Sequence, residues 1–356
     1  MPSSYYGYTG TMGVGANGSA ALTQTQVADP NAAGMQPGCG CQENCIRVHG
    51  WLGADYLLWF PPAQRLPLNL VTTAPGAAAP ASLLGGHVFY TASSGLRINT
   101  GIWLDSCERT GAVAQVDNAF RTYGIVNIAP GNVVNTNVNG QPVAFVLDGN
   151  GLNYSSWTQF TNADADTFLR VHSSDTTKWY VLAGTKGAYI EEDLALTYGT
   201  GGVTFNEDFH TRSTFFGGEV GFAVRHMAGR LGVDVIGRVG LGAMFNEISI
   251  LGSNNGGRTS QIFSNDANIG YRENNYFSVA PELTGNVYYQ LTERIMVRAG
   301  YSFMAYTQMF RPGSYINQNN SAGPGLNGFP NTQPAFTFQQ SVFIIHGMNF
   351  GAVFKY

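Results

Sequence analysis

From residue 51 onward, apolar side chains recur at every second position. Leu231, Val233, Val235, Val239, Leu241, Ala243 and Phe245 share one face of a segment, and Asp234, Ile236, Arg238 and Met244 lie on the other. Phe216, Val220, Phe222 and Val224 oppose Glu219 and Arg225, and Phe277, Val279, Leu283, Val287, Tyr289 and Leu291 oppose Ser278, Glu282, Thr284, Asn286 and Gln290. Ile295, Val297, Ala299, Tyr301 and Phe303 oppose Arg298, Gly300 and Ser302. Period two is the signature of a strand with two unlike faces.

The pattern predicts ten strands: 51–60, 92–105, 111–123, 165–174, 178–191, 211–227, 231–246, 275–290, 295–308 and 337–356. The segments 111–123 and 165–174 carry the weakest alternation, which leaves eight and twelve strands open as counts. Pro281 falls inside a strand and removes a ladder donor, so a bulge is expected there. Short connections near 106–110, 175–177, 228–230 and 291–294 alternate with long ones near 61–91, 124–164, 192–210, 247–274 and 309–336. That alternation fits tight turns on one membrane side and long loops on the other, and an even strand count returns both termini to the short-turn, periplasmic side.

Composition decides which face is outside. Charged residues make up 11 % of the 356 residues, against about 25 % in a typical soluble domain. Too few charges exist to coat a water-facing exterior. The apolar faces are therefore read as the exterior, toward lipid, and the polar faces as the lumen. Runs of about 12–16 residues also exceed the roughly 9–11 that a tilted strand needs to cross a bilayer. No apolar run approaches a membrane helix, and mean hydropathy is −0.06. A net charge of −4 gives no basic footprint for nucleic acid. The fold expected is all-β: an antiparallel, up-and-down transmembrane β-barrel in a bacterial outer membrane, with outer-membrane lipid as its surroundings.

On these assignments the inward cations are Arg97, Arg121, Arg170, Lys178, Lys186, Arg225, Arg238 and Arg298. The inward anions are Asp55, Asp105, Asp117, Glu219, Asp234 and Glu282. The signs nearly balance, and a barrel of about ten strands lies near the size that its own side chains fill. Buried charges must pair, so the lumen is expected to be mostly plugged.

Residues 1–49 read as a flexible Gly/Ala/Ser-rich periplasmic tail, without the basic and apolar regions of a signal peptide. Cys39, Cys41 and Cys45 cluster in it, and Cys107 lies in the first short turn on the same side of the membrane. An even count in an oxidising compartment points to disulfides, with the pairing open. The chain closes on Phe350, Phe354 and Tyr356 at alternate positions, the form of a C-terminal signal for the barrel assembly machinery.

Other chemistry is sparse. Glu191-Glu192-Asp193 and Glu207-Asp208 with His210 could activate water at a barrel rim, but they read as acidic, solvated loops. Asp164-Ala165-Asp166 offers two carboxylates to a calcium ion without further spaced oxygen ligands. His226 and His346 lie on apolar faces near strand ends, as interfacial residues. Gly184, Gly217, Gly218, Gly240 and Gly242 read as relief of strand curvature. We expect no cofactor, no metal and no enzyme.

Several fragments carry a family resemblance. They include Ala54-Asp55-Tyr56-Leu57-Leu58-Trp59, Ser94-Gly95-Leu96-Arg97, Gly101-Ile102-Trp103-Leu104-Asp105, Thr211-Arg212-Ser213 and Phe216-Gly217-Gly218-Glu219-Val220-Gly221. Further on are Pro281-Glu282-Leu283, Tyr289-Gln290-Leu291-Thr292, Gly300-Tyr301-Ser302-Phe303, Arg311-Pro312-Gly313 and His346-Gly347-Met348-Asn349-Phe350-Gly351. In order and spacing, over residues 50–356, the chain resembles the "Putative beta-barrel porin" family catalogued mainly from planctomycete bacteria. The resemblance implies an outer-membrane barrel and passive passage of small polar solutes or ions, with no catalytic residues to transfer. Charge pairing and strand count point instead to a sealed barrel. Its long loops, rich in Asn, Gly, Ser and Thr, would then serve a structural or adhesive role, with packing into homo-oligomers or envelope arrays.

Overall fold

The structure, a computed structural model, describes residues 49–74, 81–105, 107–138, 141–255, 262–264, 268–316, 319–320 and 336–356. The tail expected over 1–49, with Cys39, Cys41 and Cys45, lies outside the described residues except for His49. In chain order the strands are β1 (Gly50–Phe60), β2 (Gln64–Thr72), β3 (Ser82–Val88), β4 (Ser93–Trp103), β5 (Thr110–Ile128), β6 (Val133–Val138), β7 (Gln141–Val146) and β8 (Asp148–Ser173). They continue with β9 (Thr177–Thr200), β10 (Val203–Ala228), β11 (Leu231–Asn254), β12 (Gly270–Gln290), β13 (Ile295–Met309), β14 (Asn319–Asn320) and β15 (Ser341–Lys355).

Ten of these close into an antiparallel barrel in the order β1, β15, β13, β12, β11, β10, β9, β8, β5, β4. The seam is β1 against β15, where Asp55 lies opposite Gly351, and Tyr356 and Gly50 exchange backbone hydrogen bonds of 3.0 and 3.2 Å. Stepping from partner to partner around the ring visits Tyr288, Arg298, Gly351, Asp55, Arg97, Asp117, Asn162, Ala188, Phe215 and Met244. The path returns to β12 at Tyr276, opposite Met244 and twelve residues from Tyr288. Ten strands with that stagger tilt by about 40° from the barrel axis. Cross-strand partners therefore climb a spiral, and inward side chains from distant parts of the sequence become neighbours.

The strands run far beyond a bilayer. β8 and β10 are 26 residues each, where about 9–11 suffice. On β10, Phe216, Val220 and Phe222 are 64, 60 and 50 % exposed on the outer face. Toward the long-loop end the same face turns to Thr214, Arg212, His210, Asp208, Asn206 and Thr204. The inner face changes the opposite way, from buried Glu219 to buried Phe215, Phe209 and Phe205. On β9, lipid-facing Trp179 and Val181 give way to inward Ile190, Leu194, Leu196 and Tyr198. On β11, outward Leu231–Phe245 gives way to inward Ile248 and Ile250. The apolar set changes face within unbroken strands, because lipid surrounds the lower part of the barrel and water the upper part.

This corrects the expected loops. Residues read as connections at 124–164 and 192–210 are largely strand, in β5 to β10, and the connection read at 247–274 holds the end of β11 and the start of β12. The remaining upper chain folds into a five-stranded sheet ordered β14, β6, β2, β3, with β7 on β6. A bulge is absent at Pro281, which pairs with Val239 in an unbroken β11–β12 register. Instead the β12–β13 ladder stops at Glu282, and above it Thr307 Oγ1 accepts from Val279 N at 2.9 Å and donates to its carbonyl at 3.2 Å. The bulge lies on the partner strand, between Tyr306 and Met309.

The face change fixes where the membrane ends. With the four native cysteines replaced by serine, a cysteine at Asn206 in proteoliposomes should react with a membrane-impermeant maleimide, and one at Val220 should not. Equal labelling of both would contradict this boundary.

Candidate functional site: the barrel interior

The interior is filled in layers, built from side chains that alternation points inward. Nearest the short-turn end, Arg298 donates two hydrogen bonds of 2.6 Å to Asp55. Asp234 accepts from Asn286 at 2.8 Å and Tyr288 at 2.5 Å, with Arg225 at 3.4 Å. Gly351 sits opposite Asp55, where a Cβ would collide with that carboxylate.

The next layer is a buried ion network. Lys186 Nζ is 2.6 Å from Glu282, 3.0 Å from Asp164 and 3.6 Å from Glu219. Arg238 is 3.0 Å from Glu282 and 3.2 Å from Asp166. Arg97 pairs with Asp117 at 2.5 Å and donates to Ser302 at 3.2 Å. Asn162 joins the two halves, its amide donating to Asp164 at 2.8 Å and to Asp117 at 3.4 Å, while its oxygen accepts from Tyr306 at 2.8 Å. Each of these charged side chains is at most 4 % exposed. Inward glycines make the room: a Cβ on Gly184 would strike Asp166, and one on Gly240 would press on the Lys186 stem. Gly184 and Gly240 thus accommodate charge, beyond the relief of curvature read from the sequence.

Above the ions lies an apolar layer that includes Trp59, Phe160, Ile190, Phe215, Met244, Met304, Tyr306, Phe343 and Ile345, all buried. Arg311 follows, with Nε and Nη2 donating to the two oxygens of Glu192 at 2.9 and 2.8 Å. Its other donors reach the carbonyls of Ala63 and Pro62 at 2.9 and 3.2 Å. Gly313 lies against the Arg65 carbonyl with no space for a Cβ. The Arg311-Pro312-Gly313 fragment therefore clamps the start of the upper sheet onto β9. At the top, a second apolar cluster includes Tyr198, Phe205, Phe209, Ile250, Phe263, Phe310 and Tyr315.

The structure places the sequence candidates unevenly. Arg97, Glu219, Arg225, Asp234, Arg238, Glu282 and Arg298 all face inward, as do Lys186, Asp55 and Asp117. Arg121 does not. A bulge between Ala119 and Thr122 turns it outward, where its guanidinium stacks 3.6 Å over Trp157. Asp105 stays in its turn, accepting from the Arg109 and Thr110 backbone, and Arg170 reaches the Cys107 carbonyl at 2.9 Å. Asp164 and Asp166 are not loop carboxylates for calcium, since they lie in β8 and pair with Lys186 and Arg238. Phe350 and Phe354 face lipid and Tyr356 ends the seam.

Alternation also splits the acid/histidine set. Asp208 and His210 face outward, His210 lying 3.2 Å from Glu191 and 3.4 Å from Asp193. Burial and the Asp193 carboxylate push Asp208 up to about 6. Glu207 points inward, accepting from Tyr198 OH and from Phe263 N at 3.1 Å. The clue missed in the sequence was the change of apolar face at 190–198 and 205–215, which reads as a broken strand.

Burial raises Glu207 to about 7, against the donors that favour its charged form. A carboxyl raised above its unfolded value stabilises the fold fully below the unfolded pKa, and that stability is lost as pH rises through about 7. Between pH 5 and 8 (roughly one proton's linkage), the exchange protection factor at Phe263, with the intrinsic base-catalysed rise divided out, should fall, and Glu207→Gln should flatten that fall. An unchanged profile in that variant would show that Glu207 is not the group responsible.

No curated protein matches the chain. Among solved structures, the outer membrane protease OmpT from Escherichia coli aligns over 87 % of this chain and 96 % of its own, with 7 % identity and a TM-score of 0.48. An anion-selective porin from Comamonas acidovorans aligns over 87 % and 99 %, with 8 % identity and a TM-score of 0.20. A FadL homologue from Pseudomonas aeruginosa aligns over 87 % and 90 %, with 6 % identity and a TM-score of 0.23. The family model described as Putative beta barrel porin-7 (BBP7) matches residues 51–356, the whole barrel, and this outer-membrane chain belongs to that family.

Proposed function

We propose that this barrel is closed to solutes and serves as a rigid membrane anchor for the surface that stands above the bilayer. The observation that carries this reading is the interior filling: an ion network, an apolar layer and a second apolar cluster lie in series across the barrel. The lumen cations are committed to buried acids, Lys186 to Asp164 and Glu282 and Arg238 to Asp166 and Glu282, and are poorly placed to draw a solute through. By the usual arrangement of such barrels, the short turns face the periplasm and the upper half faces outward. The exposed sheet of β2, β3, β6, β7 and β14 would then be the working surface, in adhesion or in packing within the envelope. Phe350, Phe354 and Tyr356 would present the assembly signal.

A second reading, passive passage of small polar solutes or ions, is favoured by the porin description of the family. Neither reading assigns a catalytic residue. Single-channel recording of the detergent-purified, heat-modifiable protein in a planar bilayer separates the two. Silence is expected, and stable steps that scale with salt concentration would overturn the closed barrel.

A further inference from the structure

A cavity of about 290 Å³ opens at the short-turn end, below the ion network. It adjoins a second space of about 120 Å³ that reaches inward to Arg97 and Arg238. Trp51 and Trp103, 5.8 Å apart, form one wall, backed by Phe168 at 4.9 Å from Trp103. These rings face the lumen, so they are not part of the aromatic girdles that face lipid interfaces.

Lys178, Arg225, Arg298 and Lys355 also line the cavity. The nearby carboxylates are mostly taken. Asp55 is filled by Arg298, and Glu108 is 3.3 Å from Lys178. Asp234 receives Tyr288 and Asn286 closely, with Arg225 at 3.4 Å. Asp175 lies exposed in the β8–β9 turn. Among the described residues, Lys355 has no ion pair, and the Arg225 side chain remains 41 % exposed. Two cations with spare donors therefore share a half-enclosed cavity with an aromatic wall.

We propose that this vestibule binds a small organic acid, a carboxylate joined to an aromatic or apolar body. The carboxylate is held by Lys355 and Arg225, and the body lies on Trp51 and Trp103. A charge-assisted hydrogen bond in a partly dry site is strong, and the volume matches the low end of ligand pockets, about 300 Å³. An inorganic anion would leave the aromatic wall unused. The site does not depend on whether the barrel conducts, because it is filled from one end.

The test is tryptophan fluorescence of the full chain in detergent, titrated with 3-phenylpropionate and, separately, with uncharged 3-phenylpropanol. A saturable change with the acid alone is expected. Trp51→Phe with Trp103→Phe should abolish it. Lys355→Gln should weaken binding about tenfold, the loss of one charged contact, while Lys355→Arg keeps it. Lys355 lies exposed at the end of β15, so its variants spare the fold, as heat-modifiable migration checks. No saturable change, equal binding of the alcohol, or unaltered affinity in Lys355→Gln would overturn the proposal.

Discussion

A β-strand cannot choose its faces residue by residue: successive side chains point to opposite sides. When the medium outside a barrel changes from lipid to water, the apolar set must therefore cross from one set of alternate positions to the other. β9, β10 and β11 each do this without a break, at about Tyr189, Thr214 and Phe245. Everything else follows from that crossing. Below it the inner face carries the ion network, beside an aromatic wall of Trp51, Trp103 and Phe168, and above it the inner face is mainly apolar and is packed like a soluble core.

A polar inner face in a ten-stranded barrel leaves little room for water, so its charges must satisfy one another. The tilt and twelve-residue stagger make this feasible, because they bring Asp164 on β8, Lys186 on β9, Glu219 on β10, Arg238 on β11 and Glu282 on β12 to one place. Glu282 is the hub, one oxygen on Lys186 and the other on Arg238. Three cations, Lys186, Arg238 and Arg97, are shared among five carboxylates, so that Lys186 and Arg238 each bridge more than one acid. A second buried pair, Arg311 with Glu192, repeats the solution above the membrane and ties down the upper sheet.

Much of this was legible in the sequence. The lower barrel declared itself through period two, and its inward charges through the polar positions left over. The family-like fragments turn out to hold those charges: Asp55, Arg97, Glu219 and Glu282 each stand between lipid-facing neighbours such as Tyr56, Leu96, Val220 and Leu283. The upper barrel was misread as loops. Around Glu191-Glu192-Asp193, polar residues occupy both faces at the crossing point, and the alternation that resumes at Leu194 and Leu196 is out of phase with Val181 and Ala183. Bulges hid the rest, as at Arg121, because a single extra residue reverses every later inward assignment.

The central claim is that the lumen is held shut by charges that need one another. The most direct measurement is a double-mutant cycle on Lys186→Met and Glu282→Gln, read as unfolding free energy in detergent. Either change alone should cost about 3–5 kcal/mol by stranding buried partners, and the pair should cost less than their sum by roughly 0.5–3 kcal/mol. Small, strictly additive losses would mean that the two side chains are independently solvated, and the closed, mutually paired interior would be wrong.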